Sequence, residues 1–336
     1  MKIVFRVVAI AAAALGVLAI AAAGVAVSGN SYDFDERDVK IPTEDGHLAG
    51  VLTTPKNAEA RGLVVMIHGD GPVDATQGGL YDPWFDGAAA SDYATLSWSK
   101  PGIGGSDGDW LSQSMADRAK EVETAIDWAR TQPEIPTSRL VLWGASRAGW
   151  VLPTVVAARN DIDGVVAVGT AVNWLRQGRF NLEAQLDHDE ASPEARARAE
   201  AESQRVDALL AAGASYEEYA STTTDPMTRE RWGFVSKNYT VDATSELTGA
   251  ATRGVPWLLF AGEHDRNVDM AETARTYRDI LGSAVIVTKV DAVHSMARPV
   301  VDDSELIGVA TGILWPRALL AAGVIDAYRS FLDDRS

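Results

Sequence analysis

The pattern of hydrophobic and polar positions changes rhythm along this chain. Residues 7–27 form a run of 21 without a charged or polar side chain, preceded by Lys2 and Arg6. The run is apolar on every face rather than along one stripe, so it does not read as an amphipathic helix packed on a core. A bilayer span needs about 20 such residues, and the apolar part of a signal peptide about 7–15. Length favours a retained anchor. Ten alanines, and the small-x-small pattern Ala26-Val27-Ser28 before Gly29-Asn30, favour cleavage. Residues 1–28 are therefore expected to be a signal peptide or an N-terminal membrane anchor, and the protein to be exported, membrane-anchored by this segment or secreted.

From Arg37 onward, short β-rich runs alternate with helical periodicity, which predicts α/β architecture around a mainly parallel sheet with helices on both faces. Eight strands are expected, at 38–42, 47–53, 63–67, 93–98, 139–143, 165–168, 255–261 and 284–290. The first two read as an antiparallel hairpin, because the Glu44-Asp45-Gly46 connection is too short for a parallel crossover. Amphipathic helices are expected at 114–130, with Ala119, Val122, Ile126 and Ala129 on one face, and at 270–281 and 318–332. Residues 173–250 break the alternation. Their stretch 182–212 is rich in Ala, Glu, Arg and Gln, lacks Gly, and lies between two predicted strands, so it reads as a helical insertion placed as a lid over one end of the sheet. The core is then 37–172 together with 251–336.

Composition narrows the chemistry. A formal charge of -17 repels phosphate backbones and argues against nucleic-acid binding. Absence of cysteine excludes disulfides, thiolate metal sites and a thiol nucleophile, leaving oxygen and nitrogen nucleophiles. No His-Glu-x-x-His, EF-hand or Walker A pattern is present, so neither a metal nor any other cofactor is implied.

The strongest local signal is the strand pattern from Arg139 into Gly144-Ala145-Ser146-Arg147-Ala148-Gly149, followed by an apolar helix start. A serine on a sharp strand-to-helix turn needs small residues two positions away on each side. Gly144 and Ala148 supply them, although Ala148 stands where glycine is usual. The turn would lift the Ser146 hydroxyl above the sheet and aim the Arg147 backbone N–H at a developing oxyanion. Ser146 needs a base. Of the five histidines, His47 and His68 lie upstream, His188 lies in the insertion, and His264 crowds the end of its strand. His294, in the loop after the last predicted strand, remains. The strand at 255–261 ends in Gly262-Glu263-His264-Asp265, where Asp265 is placed to orient an imidazole; Glu263 is the runner-up for that role, with Asp269 and Asp291 behind it. A second oxyanion donor is expected from His68-Gly69-Asp70-Gly71, the Asp70 N–H first and Gly69 next, with His68 holding the loop.

These residues resemble the α/β-hydrolase superfamily, specifically its esterase, thioesterase and serine-aminopeptidase-like branch with His-Gly-x-Gly-Pro after the third strand. The likeness runs over 39–332. It implies the α/β-hydrolase fold and a serine hydrolase. The run Trp98-Ser-Lys-Pro-Gly-Ile-Gly-Gly-Ser106 is similar to the Arg-Gly-x-Gly-x-Ser turn of such proteins, with Lys100-Pro101 in place of the usual Arg, and reads as structural. The expected activity is cleavage of small-molecule carboxylic esters or thioesters. Alternatives are a peptidase acting on short peptides, with Asp70, Asp74 or Glu183 receiving a free amine, and a catalytically silent member that binds a lipid or partner. Trp150, Trp174 and Trp232 could line an acyl pocket or simply pack. The apolar stretch 306–325 is interrupted by Pro316 and Arg317, which argues for a broken core helix rather than a second span.

Overall fold

The structure, a computed structural model, describes residues 24–334. Eight strands run as β1 Phe34–Thr43, β2 Gly46–Pro55, β3 Gly62–Ile67, β4 Tyr93–Trp98, β5 Leu140–Ala145, β6 Gly164–Val168, β7 Trp257–Gly262 and β8 Val285–Val290. They form one sheet in the order β1-β2-β4-β3-β5-β6-β7-β8. β1 pairs antiparallel with β2, as the short connection predicts, and β2 antiparallel with β4; every later pairing is parallel. This is the expected α/β-hydrolase architecture.

The helices are α1 Asp82–Ala89, α2 Met115–Arg130, α3 Leu152–Ala158, α4 Trp174–His188, α5 Pro193–Ala211, α6 Tyr216–Ala220, α7 Arg229–Asn238, α8 Thr244–Ala251, α9 Met270–Leu281, α10 Pro299–Asp302, α11 Glu305–Leu314 and α12 Val324–Asp333. Both faces of the sheet are covered. Along β3, Leu63, Val65 and Ile67 enter one core cluster while Val64 and Met66 enter the other, and all five are buried. A strand buried on both faces reads as a continuous apolar run, which is why 63–67 shows no alternation. α2 packs the anticipated face, Ala119, Val122, Ile126 and Ala129, into the first cluster. Its start is fixed by a reciprocal capping box between Ser114 and Asp117.

Helices α4 to α8 lie between β6 and β7 and carry a small cluster of their own around Leu210, Tyr219 and Trp232. Two segments depart from expectation. α1 has only eight residues, too few for a clear periodicity. The 306–325 stretch is not a core helix: α11 ends at Leu314 before Pro316, none of its residues is buried, and Leu306 is 80% exposed.

The membrane expectation is corrected. Among the described residues no helix is long and apolar enough to cross a membrane. The run 7–27 falls outside the described residues except for its last four positions. Nothing in the described residues supports the expected anchor, cleaved signal, export or secretion.

Strand order turns at β3 and β5, neighbours whose onward connections leave in opposite directions, to β4 and to β6. A crevice opens beyond the carboxyl ends of such a strand pair. The loop 68–71 and Ser146 stand there.

Candidate active site

Ser146 follows β5 directly and has φ 53°, left-handed backbone that a non-glycine residue adopts only when its surroundings impose it. A tight 3-10 turn over Ser146–Trp150 then leads into α3. Packing explains the small neighbours. A Cβ on Gly144 would sit 2.8 Å from the Ala148 methyl and 2.9 Å from Leu152 Cδ1. The gap across the elbow admits one methyl, and Ala148 provides it; the departure from two glycines is therefore accommodated. On Gly149 a Cβ would meet the Ala171 carbonyl at 2.5 Å.

His294 Nε2 lies 2.9 Å from Ser146 Oγ, and its Nδ1 lies 2.8 Å from Asp265 Oδ2. The Asp265 side chain is 1% exposed. Its Oδ1 accepts the Asn267 and Val268 N–H groups at 2.8 and 2.9 Å, so the carboxylate is fully occupied and its orientation fixed. The competing acids are engaged elsewhere: Asp291 pairs with His264 at the surface, and Asp269 caps α9. Glu263 lies in an exposed turn beyond β7 and hydrogen-bonds the Val290 carbonyl through its backbone N–H. The chain therefore brings Ser146, His294 and Asp265 into one hydrogen-bonded line.

The 68–71 loop abuts the elbow: a Cβ on Gly69 would lie 3.2 Å from Ser146 Cβ. His68 is buried, Nε2 donating to the Trp98 carbonyl at 2.7 Å while the ring stacks on Tyr81. Burial first, then the nearby Lys100 charge, pushes its pKa down to about 3, so it stays neutral and holds the loop. Lys100, at the position where an arginine is usual, donates to the Gly69 and Gly71 carbonyls at 2.5 and 2.8 Å. Burial brings its pKa down to about 6, with the charge of Arg118 acting the same way. Arg118 donates to the His68 carbonyl. Asp70 lies on this loop, and Arg147 lies in the first turn after the elbow, where a helical turn leaves its N–H groups without internal partners.

Sequence reasoning missed the side chains that surround these amides. The Asp70 carboxylate is gripped from two sides. Arg147 Nη2 donates to Oδ2 at 2.8 Å with Nη1 2.7 Å from Oδ1, and Arg231 of α7 donates to Oδ1 and Oδ2 at 3.0 and 2.6 Å. Burial alone would raise the Asp70 pKa; the Arg231 hydrogen bonds and the two guanidinium charges outweigh it and hold it down to about 2. Arg147 is lowered to about 9, mainly by burial, against the Asp70 charge. Trp174 and Phe234 stack on Arg147, and Phe234 also faces Arg231.

A cavity of about 770 Å³ opens at Ser146 and His294. Trp84, Trp143, Val168, Val309, Ile313 and Leu320 give it apolar walls. None of its lining residues belongs to 173–250; the roof is the 299–320 segment. The tryptophans singled out above pack elsewhere: Trp150 stacks on Trp174, and Trp232 on Tyr219. Among the described residues no cluster of His, Asp and Glu has the arrangement of a metal site.

Comparison with known proteins agrees with this fold. Residues 58–295 match the family described as serine aminopeptidase, S33. Similar solved structures include an esterase of Pyrococcus furiosus (16% identity, TM-score 0.54, 84% of this chain and 92% of that one). The ferulic-acid-bound Est1E of Butyrivibrio proteoclasticus is another (12% identity, TM-score 0.53, 88% and 96%). At such identities the likeness concerns the fold. A polyketide transferase of Gibberella fujikuroi is 25% identical over 128 residues, 38% of this chain, which spans about two fifths (39%) of that relative. Since the matched residues make up well over half of the chain, it belongs to the S33 serine aminopeptidase family of α/β-hydrolases and is a hydrolase.

Proposed function

We propose that this hydrolase cleaves carboxylic ester or thioester bonds of small, apolar acyl substrates through an acyl-enzyme on Ser146. What supports the reading above all is the Asp265–His294–Ser146 line of hydrogen bonds opening into an apolar cavity. Ser146 Oγ attacks the carbonyl carbon as His294 Nε2 takes its proton. Asp265 holds the imidazole by Nδ1 and stabilises the imidazolium. The Asp70 and Arg147 N–H groups receive the oxyanion. Collapse expels the alcohol or thiol, which takes the proton from His294. Water then attacks the acyl-enzyme, gives its proton to His294, and Ser146 is released with the carboxylic acid. The acyl chain enters the cavity under 299–320. The insertion serves as a lid on the other flank, above Asp70.

The family description keeps a peptide substrate in view. Ester cleavage is favoured because the Asp70 carboxylate, the one of the three acids considered for a substrate ammonium that lines the cavity, is committed to two guanidinium groups. The deciding experiment compares wild type and Ser146→Ala in fluorophosphonate labelling, on an acyl-ester chain-length series, and on aminoacyl amides. Labelling of wild type alone, with ester turnover above amide turnover, is expected. An unlabelled wild type would overturn the mechanism, and faster amide turnover would overturn the substrate.

A further inference from the structure

Asp70 contributes an N–H to the reading above, yet its carboxylate is tied to Arg231, 161 positions away in the insertion. The peptide between Gly69 and Asp70 explains why that matters. In a planar trans peptide the C=O and N–H point in opposite directions. Lys100 holds the Gly69 carbonyl, so it directs the Asp70 N–H the opposite way. What stays free is rotation about the flanking bonds, in a loop with glycine on both sides and Gly71 at φ +88°. Binding both carboxylate oxygens of Asp70 from two directions removes that freedom at its Cα. Arg147 alone provides one hydrogen bond and an ion pair from the elbow side. Arg231 provides the second hold from the insertion, and its position is fixed by α7, whose Phe234 packs into the main core beside Trp174.

We propose that Arg231 is a positioning residue: by clamping the Asp70 carboxylate against Arg147 it sets the direction of the Asp70 N–H and couples the docked insertion to a competent oxyanion site. The inference rests on the serine-hydrolase reading. It assigns the insertion a part in turnover rather than in lining the acyl cavity, to which it contributes no residue. Loss of Arg231 leaves Asp70 paired with Arg147, so no buried carboxylate is stranded and the fold is expected to survive.

The test uses the full chain with Arg231→Gln, Arg231→Lys, Asp70→Asn and the Asp70→Asn/Arg231→Gln double variant, assayed on a short acyl ester with thermal unfolding measured in parallel. Removing an oxyanion donor outright lowers kcat about 10²–10³-fold, and a misdirected donor should cost part of that. Arg231→Gln is expected to lower kcat about tenfold or more with KM within about threefold, and Arg231→Lys to recover part of the loss. Because Arg231 acts through Asp70, the double variant should be no slower than Asp70→Asn alone. An unchanged kcat in an active, folded Arg231→Gln protein, a loss confined to KM, or multiplicative losses in the double variant would each overturn the inference while leaving the hydrolase reading intact. A wild type that neither labels nor hydrolyses esters would remove both. Should Arg231→Gln fail to fold, the Lys variant carries the same comparison.

Discussion

Ser146 and His294 are separated by 148 positions in the chain and by 2.9 Å between Oγ and Nε2. That approach joins the end of β5 to the loop beyond β8, and a serine hydrolase requires it in the same atoms. Ser146→Ala and His294→Ala are each expected to lower kcat by about 10⁴-fold or more, since the two act as a unit and the loss of either is nearly the loss of both. Asp265→Asn keeps the shape and leaves the wrong imidazole tautomer, with an expected fall of about 10⁴-fold. Steady-state ester kinetics on folded variants measures all three; Ser146→Ala turnover near wild type would remove Ser146 from the chemistry.

Crowding at the elbow yields a stability prediction. Gly144→Val drives two methyls into the Ala148 and Leu152 side chains, already 2.8 and 2.9 Å from a single Cβ. Overpacking of this kind costs about 1–3 kcal/mol. Ala148→Gly merely removes the one methyl that fills the gap and should retain most activity. Chemical denaturation of both, with labelling of Ser146 as the activity readout, separates the two cases.

The apolar cavity predicts selectivity. Gly312 on α11 lines it, and a Cβ there would meet nothing closer than Leu319 Cδ1 at 4.0 Å. Gly312→Leu should fill part of the space, lower kcat/KM for long acyl chains more than for acetyl esters, and leave thermal stability unchanged or improved, because a helix interior disfavours glycine by about 1 kcal/mol. Equal losses across the chain-length series would place the acyl group elsewhere.

Acid sensitivity follows from Asp70. Its folded pKa, about 2, lies below the ordinary carboxylate value of 3.8, so the folded state holds fewer protons there than the unfolded one. Its contribution to stability is complete above about pH 4 and disappears as the pH falls through 2. The stability gap between wild type and Asp70→Asn should therefore narrow over that window. Denaturation curves from pH 7 down to 2 test this, and a gap independent of pH would contradict the pairing with Arg147 and Arg231.

The sheet was readable because burial on one or both faces imprints a pattern that local reading detects: continuous in 63–67, helical in 114–130. Ser146, His294 and Asp265 could be selected because each follows a strand that this pattern reveals. Arg231 could not. Its role depends on how α7 docks, and an arginine on an amphipathic helix carries no local mark of a partner 161 positions away. The 305–314 segment misled for the opposite reason. An apolar run signals contact with something apolar, and core was the expected partner; instead one side of α11 faces the cavity and the other faces solvent.

The cavity roof and the Arg231 clamp come from different connections, one after β8 and one between β6 and β7, and neither contributes a strand to the sheet. On the proposed function, acyl preference and turnover would be encoded in separable stretches of chain. Exchanging 299–320 between relatives should transplant the range of acids accepted while leaving the rate on a minimal acetyl ester nearly constant, so diversification of this enzyme has two nearly independent axes rather than one.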